Sequence, residues 1–307
     1  RSSGGAPGWV EHSIVTSCPA SASPSHTVSA YFSAPPPSGC VESRQFKKAM
    51  RTMKLFPDDR SRMLPQHPAT DRRPTVRRDL KRSVRLFSAF RAEQTDQDRF
   101  YGALAEDSIG LLEQWVDLGG AVVVDVGGGP GYFSAAFERA GARYAGVEPD
   151  AGELSAHGAP GGIAVRGSGL DLPFGDGTAD VAFSSNVLEH VPHPVRMAEE
   201  MVRITRPGGL VFLSWTPWLS PHGGHETGMW HYLGGKRAAD RYAARHGQRP
   251  KNDFGTSLYA CPVGPMVRWA KEAAAAGRVE VVDIFARYHP WWAQRVMKIP
   301  GVREFAS

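Results

Sequence analysis

The stretch from Val122 to Asp150 constrains this chain more than any other. Val122–Val126 is a β-branched run broken by one acid, Asp125, and suits a strand buried on both faces. Gly127, Gly128, Gly129 and Gly131 follow at once. Glycine permits a tight turn at positive φ and lets a ligand lie against bare backbone. Phe133, Ala136, Phe137 and Ala140 then recur at helical spacing, with Gly141 placed to end the helix. Tyr144–Val147 predicts a second strand, and it ends on an acid, Glu148. Strand, glycine loop, helix, strand and terminal acid make a half-site for a nucleoside.

The spacing of the loop selects among nucleosides. A dinucleotide fingerprint reads G-x-G-x-x-G, with the pyrophosphate on the helix N-terminus. Gly127 and Gly129 fit it, but the third glycine position falls on Tyr132. The loop reads G-x-G-x-G with Pro130 inside, and Asp125 sits two residues before it. An acid there repels a pyrophosphate and attracts an ammonium group. The pattern favours S-adenosylmethionine, which carries a zwitterionic amino-acid end and a positive sulfonium. Glu148, 21 residues after Gly127, is placed to accept hydrogen bonds from both ribose hydroxyls.

Asp125-Val-Gly-Gly-Gly-Pro-Gly131 and Gly146-Val-Glu-Pro-Asp150 resemble motif I and the acidic strand end of class I S-adenosylmethionine-dependent methyltransferases. Leu172-Pro-Phe174, Ser184-Ser-Asn-Val-Leu-Glu-His190 and Arg206-Pro-Gly-Gly209 resemble the same family in the same order, the nearest subgroup being the actinobacterial "type 11" enzymes. The resemblance implies a Rossmann-like, doubly wound α/β sheet. It also implies a cofactor site built from Asp125, Gly127, Gly128, Gly129, Gly131, Glu148 and Pro149, with Asn186 and Val187 beside the methionine portion. Leading helices cover the cofactor in this family, which gives Tyr101 the part of a lid. Ser168 stands where the family carries an adenine-binding Asp, leaving that contact to Ser168 or to the amides of Gly169 and Leu170.

Around this centre the chain divides into an arm over 1–62, a helical cap over 63–118 and the methyltransferase domain over 119–307. Residues 1–40 hold 25 Ser, Pro, Gly or Ala and a single acid, a composition that predicts disorder and a natural start near Met53 or Met63. A Ser-rich transit peptide is the competing reading of the arm. Cap helices are expected over Thr75–Gln94, where Leu80, Val84 and Phe87 share a face, and over Asp96–Val116. In the domain a short helix at Ala151–His157 precedes strands at Ile163–Arg166, Asp180–Ser184 and Leu210–Trp215. A helix at Pro192–Thr205 is stopped by Arg206-Pro-Gly-Gly. An insertion over 216–262 containing a basic helix (236–246) precedes a helix at Met266–Ala276 and a strand at Glu280–Ala286. No strand is legible after Ala286, so the family's seventh, antiparallel strand is expected to be missing, either because the chain is cut short at its C-terminus or because the sheet has six strands.

Composition narrows the setting. With 307 residues and 41% hydrophobic content the chain can bury one large core. Net charge is +5, and between Asp71 and Arg91 eight Lys or Arg face two Asp. That cluster suits phosphates or an anionic membrane surface, but its plainer reading is a solvated helix face. Together with Trp291-Trp292 it leaves room for peripheral membrane contact. Three cysteines without metal or disulfide spacing, no apolar stretch long enough to span a bilayer and no signal-peptide core predict a cytoplasmic location.

Methyl transfer requires placement of a nucleophile, and a base only if the acceptor must lose a proton. His222, His225, Glu226 and His231 are the candidates by position, in an insertion expected to overhang the methyl group. Their spacing, H-x-x-H-E-x-x-x-x-H with Gly223 and Gly224 inside, is not the helical H-E-x-x-H of zinc hydrolases, and no metal is expected. The predicted activity is methylation of a small-molecule acceptor, a lipid or saccharide precursor among them. A nucleic-acid methyltransferase is the enzymatic alternative, although Ser184-Ser-Asn-Val lacks the Asn-Pro-Pro-Tyr type of motif. A non-catalytic binding module is the third reading, argued from the missing strand.

Overall fold

The computed structural model describes residues 12–18, 80–91, 96–150, 152, 153 and 163–290, with positions 295, 299, 302 and 304 beyond them. Strand β1 (His12–Ser17) leads into the cap helices α1 (Leu80–Phe90) and α2 (Gln97–Leu112). Then come β2 (Val122–Val126), α3 (Ser134–Arg139), β3 (Arg143–Glu148), β4 (Ile163–Arg166), β5 (Ala179–Ser184), α4 (Pro194–Ile204) and β6 (Thr205–Trp215). The insertion holds a 3-10 segment (His225–Leu233) and α5 (Gly235–His246), before α6 (Val263–Ala275) and β7 (Glu280–Ala286).

The strands form one sheet in the order β4-β3-β2-β5-β6-β1-β7. Pairings from β4 through β6 are parallel, and β1 runs antiparallel to both β6 and β7. The expectation of a missing antiparallel strand is therefore corrected. His12–Ser17 fills that place, with Ile14 opposite Leu213 and Ile284. It does so because Ser-Ile-Val-Thr alternates between the two cores: Ile14 joins the one under α4 and α6, and Val15 joins the one under the cap. For these six residues the expectation of disorder is overturned; the rest of the 1–62 arm, apart from Cys18, lies outside the described residues. So do most of the expected Ala151–His157 helix and the Trp291-Trp292 pair.

Both faces of the sheet are covered, which is why β2 is buried throughout. Val124 and Val126 pack with Met197, Met201 and Met266, while Val123 packs with Phe183, Leu104 and Phe137. The cap helices thus share the core of the sheet. Helix α1 departs from its predicted orientation. Arg82, Ser83, Leu86 and Ala89 face inward, and Leu80 and Val84 remain 62% and 58% exposed. Arg82 turns inward because a buried acid, Asp107 on α2, receives two of its hydrogen bonds, at 2.7 and 2.8 Å.

Helix ends follow capping chemistry. The Asp96 carboxylate accepts from Arg99 N at 3.1 Å and opens α2. Pro194 starts α4 two residues later than predicted. Glu304 accepts from Val263 N at 2.8 Å and Gly264 N at 2.6 Å, so α6 begins three residues before the predicted Met266. Arg206-Pro-Gly-Gly lies within β6 instead of preceding it. A Cβ at Gly209 would stand 2.6 Å from Asp180 O, so only glycine lets β6 pass the start of β5.

Candidate active site

The glycine loop closes the carboxyl end of β2. Gly127, Gly129 and Gly131 have φ of 80°, 52° and 86°. Gly127 N donates to Val147 O at 2.8 Å, tying the turn to β3. A Cβ at Gly127 would lie 2.6 Å from both Val187 methyls, and one at Gly128 would lie 2.8 Å from Asp125 Oδ2. At Gly129 it would meet nothing within 4 Å. Glu148, half-buried at the end of β3, accepts from Gly129 N at 3.3 Å and from Asp150 N at 3.1 Å. Burial pushes its carboxyl above the ordinary value, and those two amides partly offset the effect. Pro149 is exposed beside it.

Asp125 lies beneath the loop, 1% exposed. The Tyr144 hydroxyl donates to its Oδ2 at 2.7 Å. Burial pushes this carboxyl up to about 7; Tyr144 opposes the shift and the charge of Glu148 adds to it. The side chain that the sequence sets beside the loop thus supports it from below.

On the far side of the loop, Tyr132 stacks on Tyr101 at 4.2 Å with 8° between the ring planes. The Tyr132 hydroxyl donates to Gln97 Oε1 at 3.1 Å. The cap helix and the glycine loop meet through this pair. Ser168 makes a tight turn after β4, its Oγ accepting from Leu170 N at 3.2 Å and its carbonyl from Asp171 N at 3.0 Å. Gly169 is wedged there, a Cβ being 3.1 Å from Met197 Sδ and Val126 Cγ1.

At the carboxyl end of β5 the chain turns at Asn186, whose φ is 58°. Asparagine tolerates this left-handed conformation better than other side chains do, and such residues cluster at ligand sites. Asn186 N donates to Ser214 O at 3.0 Å, and Ser184 Oγ to Val126 O at 2.8 Å, so the ends of β2, β5 and β6 are held together. A cavity of about 210 Å³ opens here. Phe90, Phe100, Tyr101 and Tyr288 give it an aromatic wall; Asn186, Glu189, His190, His225, Glu226 and Lys251 line the polar side.

Of the four candidate bases, His225 and Glu226 line the cavity. His222 packs against Phe90 at 6.2 Å, and His231 is buried beside Trp218 with Nδ1 donating to Gly228 O at 2.7 Å. His225 is held at φ 47°. Burial pushes its imidazole down to about 3, with His190, His222 and His231 adding to the effect.

Sequence reasoning passed over three residues that build this site. Arg287 is fully buried and donates to Asp107 Oδ2 at 3.2 Å, Leu104 O at 2.9 Å and Ser185 Oγ at 3.3 Å, linking β7 to α2 and to the turn before Asn186. Arg82 and Asp107 complete the group. A basic residue at the end of an apolar strand and an acid inside an apolar helix face were the available signals.

A methyltransferase domain model matches residues 124–213. An uncharacterized methyltransferase of Mycolicibacterium gilvum (strain PYR-GCK) is 54% identical over 240 residues, covering 75% of this chain and 92% of the relative. One from Mycobacteroides abscessus (strain ATCC 19977) is 49% identical over 243 residues, covering 74% and 91%. Among solved structures, an S-adenosylmethionine dependent methyltransferase of Mesorhizobium loti is 26% identical, with a TM-score of 0.28, over 30% of this chain and 45% of that one. The chain belongs to the class I methyltransferase family of these mycobacterial relatives. Its methyl donor is S-adenosylmethionine.

Proposed function

We propose that this methyltransferase acts on a small molecule bound in the cavity beside Asn186, one with an apolar face and several hydrogen-bonding groups. The observation that carries the reading is position. The cavity opens at the carboxyl ends of β5 and β6, one strand from the glycine loop, where open α/β sheets take their ligands. The loop fits the donor: the positive-φ glycines expose backbone, and the space at Gly129 is open beside the Glu148 carboxylate.

S-adenosylmethionine supplies a methyl group activated by its sulfonium. Gly127, Gly128, Gly129 and Gly131 give it a backbone cradle, and Glu148 with Pro149 takes the ribose end. Ser168, Gly169 and Leu170 border the adenine. Asn186 and Val187 hold the methionine portion, and Tyr101 closes over it from the cap. Asp125 supports the cradle from below. Placement supplies most of the acceleration, so the cavity wall's task is to orient the acceptor and exclude water. His225 and Glu226 face the acceptor, whereas His222 and His231 shape the insertion. The free, buried cysteines Cys18 and Cys261 accord with a reducing cytoplasm.

Calorimetric titration with S-adenosylmethionine and S-adenosylhomocysteine tests the donor site. Micromolar binding should weaken about tenfold or more in Glu148→Ala, as for a lost hydrogen bond to a charged group. A folded chain that binds neither would sink the reading; transfer of labelled methyl to candidate small molecules then finds the acceptor.

Among the described residues no helix is long and apolar enough to cross a membrane. Met229, Trp230, Tyr232 and Leu233 nevertheless form an exposed apolar row on the insertion. This row favours peripheral contact with a lipid surface. Flotation with anionic liposomes at low and high salt separates apolar from basic contact, and absence of flotation in both removes it.

A further inference from the structure

We infer that Glu189, His190 and His225 form a binding site for a zinc-class divalent transition ion in the polar wall of the cavity. The sequence argued against a metal because it grouped His225 with His222, Glu226 and His231. Folding groups it differently. Glu189 and His190 come from the 3-10 turn after β5, and one ligand atom from each of the three residues lies within 4.8 Å of the others. Donors around a tetrahedral ion with bonds of about 2.1 Å stand roughly 3.4 Å apart, so the three residues draw closer on binding an ion.

The hydrogen bonds around the three residues prepare them as ligands. His190 Nδ1 lies 2.7 Å from Ser257 O. A carbonyl only accepts, so Nδ1 carries the proton and Nε2 keeps its lone pair. Metal-bound histidines are oriented by a backbone carbonyl in this way. His225 Nε2 is buried and has no hydrogen-bond partner among the described residues, a costly arrangement that an ion would relieve. Glu189 is buried with Oε1 fixed by Thr216 N at 2.9 Å, which sets its carboxylate against the cavity. Two imidazoles and one carboxylate suit zinc, with the remaining coordination positions turned toward the cavity. An ion there would stand where the acceptor lies, and a coordinating oxygen on the acceptor would take an open position.

The site is tested on the full chain with no nucleoside present, so its failure is distinct from failure of the donor site. Chelator-treated protein is titrated with Zn²⁺ by calorimetry and with Co²⁺ by visible absorption. One equivalent should bind, giving the intense bands of four- or five-coordinate cobalt. Affinity should fall about 10-fold or more in Glu189→Gln, which retains an acceptor for Thr216 N, and binding should vanish in His225→Ala. His246→Ala, on the exposed face of α5, should change nothing. Circular dichroism establishes that each variant is folded. Absence of stoichiometric binding by the folded wild-type chain overturns the site. So does affinity that is equal in wild type, Glu189→Gln and His225→Ala.

Discussion

Tyr132, at the position where a dinucleotide-binding loop would carry its third glycine, stacks face to face on Tyr101 at 4.2 Å. The departure from the dinucleotide pattern thus has a structural use. It joins the glycine loop to the cap helix that covers it. Stacked pairs contribute about 0.5–1.5 kcal/mol beyond their burial. Tyr101→Ala should therefore lower the stability by about that amount, and by freeing the loop from the cap it should weaken S-adenosylhomocysteine binding, while Tyr101→Phe keeps the stack and the affinity. Calorimetry on both variants decides the matter, and equal affinity in wild type and Tyr101→Ala would remove the lid role.

The turn beneath that pair depends on Gly127. An alanine there must adopt φ 80° and drive its Cβ to 2.6 Å from the Val187 methyls. The left-handed conformation costs about 1–2 kcal/mol and overpacking about 1–3. Gly127→Ala should lower the urea midpoint and abolish measurable donor binding. Adding Val187→Ala should restore the overpacking part of the stability and leave the conformational part. No recovery in the double variant would mean that the clash is not with Val187.

Asp125 gives the protein a pH signature. Its folded pKa of about 7 lies above the ordinary 3.8. Between those values the folded state holds a proton that the unfolded state has lost. Stability is therefore greatest below pH 3.8 as far as this group is concerned, and falls as pH rises to about 7. The full effect is about 4 kcal/mol, at 1.36 kcal/mol for each tenfold change. Asp125→Asn should flatten the difference in urea midpoint between pH 4 and pH 8. Tyr144→Phe removes a donor that favours the carboxylate and should move the decline to higher pH. Identical profiles for wild type and Asp125→Asn would contradict the assignment.

What the sequence reveals here follows from where each signal is local. The strand, glycine loop and acid at 122–150 are contiguous, and five strands from β2 to β7 fall within one or two residues of their predicted bounds. The sixth, β6, begins five residues early, at Thr205. The antiparallel strand is not legible because its sequence, His-Ser-Ile-Val-Thr-Ser, sits within a Ser- and Pro-rich composition and finds its partners about 200 and about 270 residues away. The same holds for the site: Asn186 and the glycines lie on predicted strand ends, but the juxtaposition of His190 with His225 depends on how the insertion folds back. Val15, fully buried between β6 and β7, offers a check on the strand. Val15→Asp should destabilise the chain by at least about 3 kcal/mol, since it buries an unpaired charge. An unchanged melting temperature would show that His12–Ser17 does not pair there.

Asp107 serves two buried guanidiniums, Arg82 at 2.7 Å and Arg287 at 3.2 Å, and is itself buried, with the exposed Arg85 reaching it at 3.9 Å. Arg287 carries the coupling further, donating to Ser108 Oγ at 2.6 Å and to Ser185 Oγ beside Asn186. One carboxylate thus anchors α1, α2 and the end of β7 against the turn that opens the cavity. Removing it leaves two buried cations facing each other, so Asp107→Asn should cost about 3–5 kcal/mol, as for other broken buried pairs. Arg82→Met should cost less, because the remaining Arg287–Asp107 pair stays charge-balanced and the methionine refills the apolar space. The order of urea midpoints should therefore be wild type, then Arg82→Met, then Asp107→Asn. If Arg82→Met proves the more damaging change, the group is held by the packing of α1 and not by its charge.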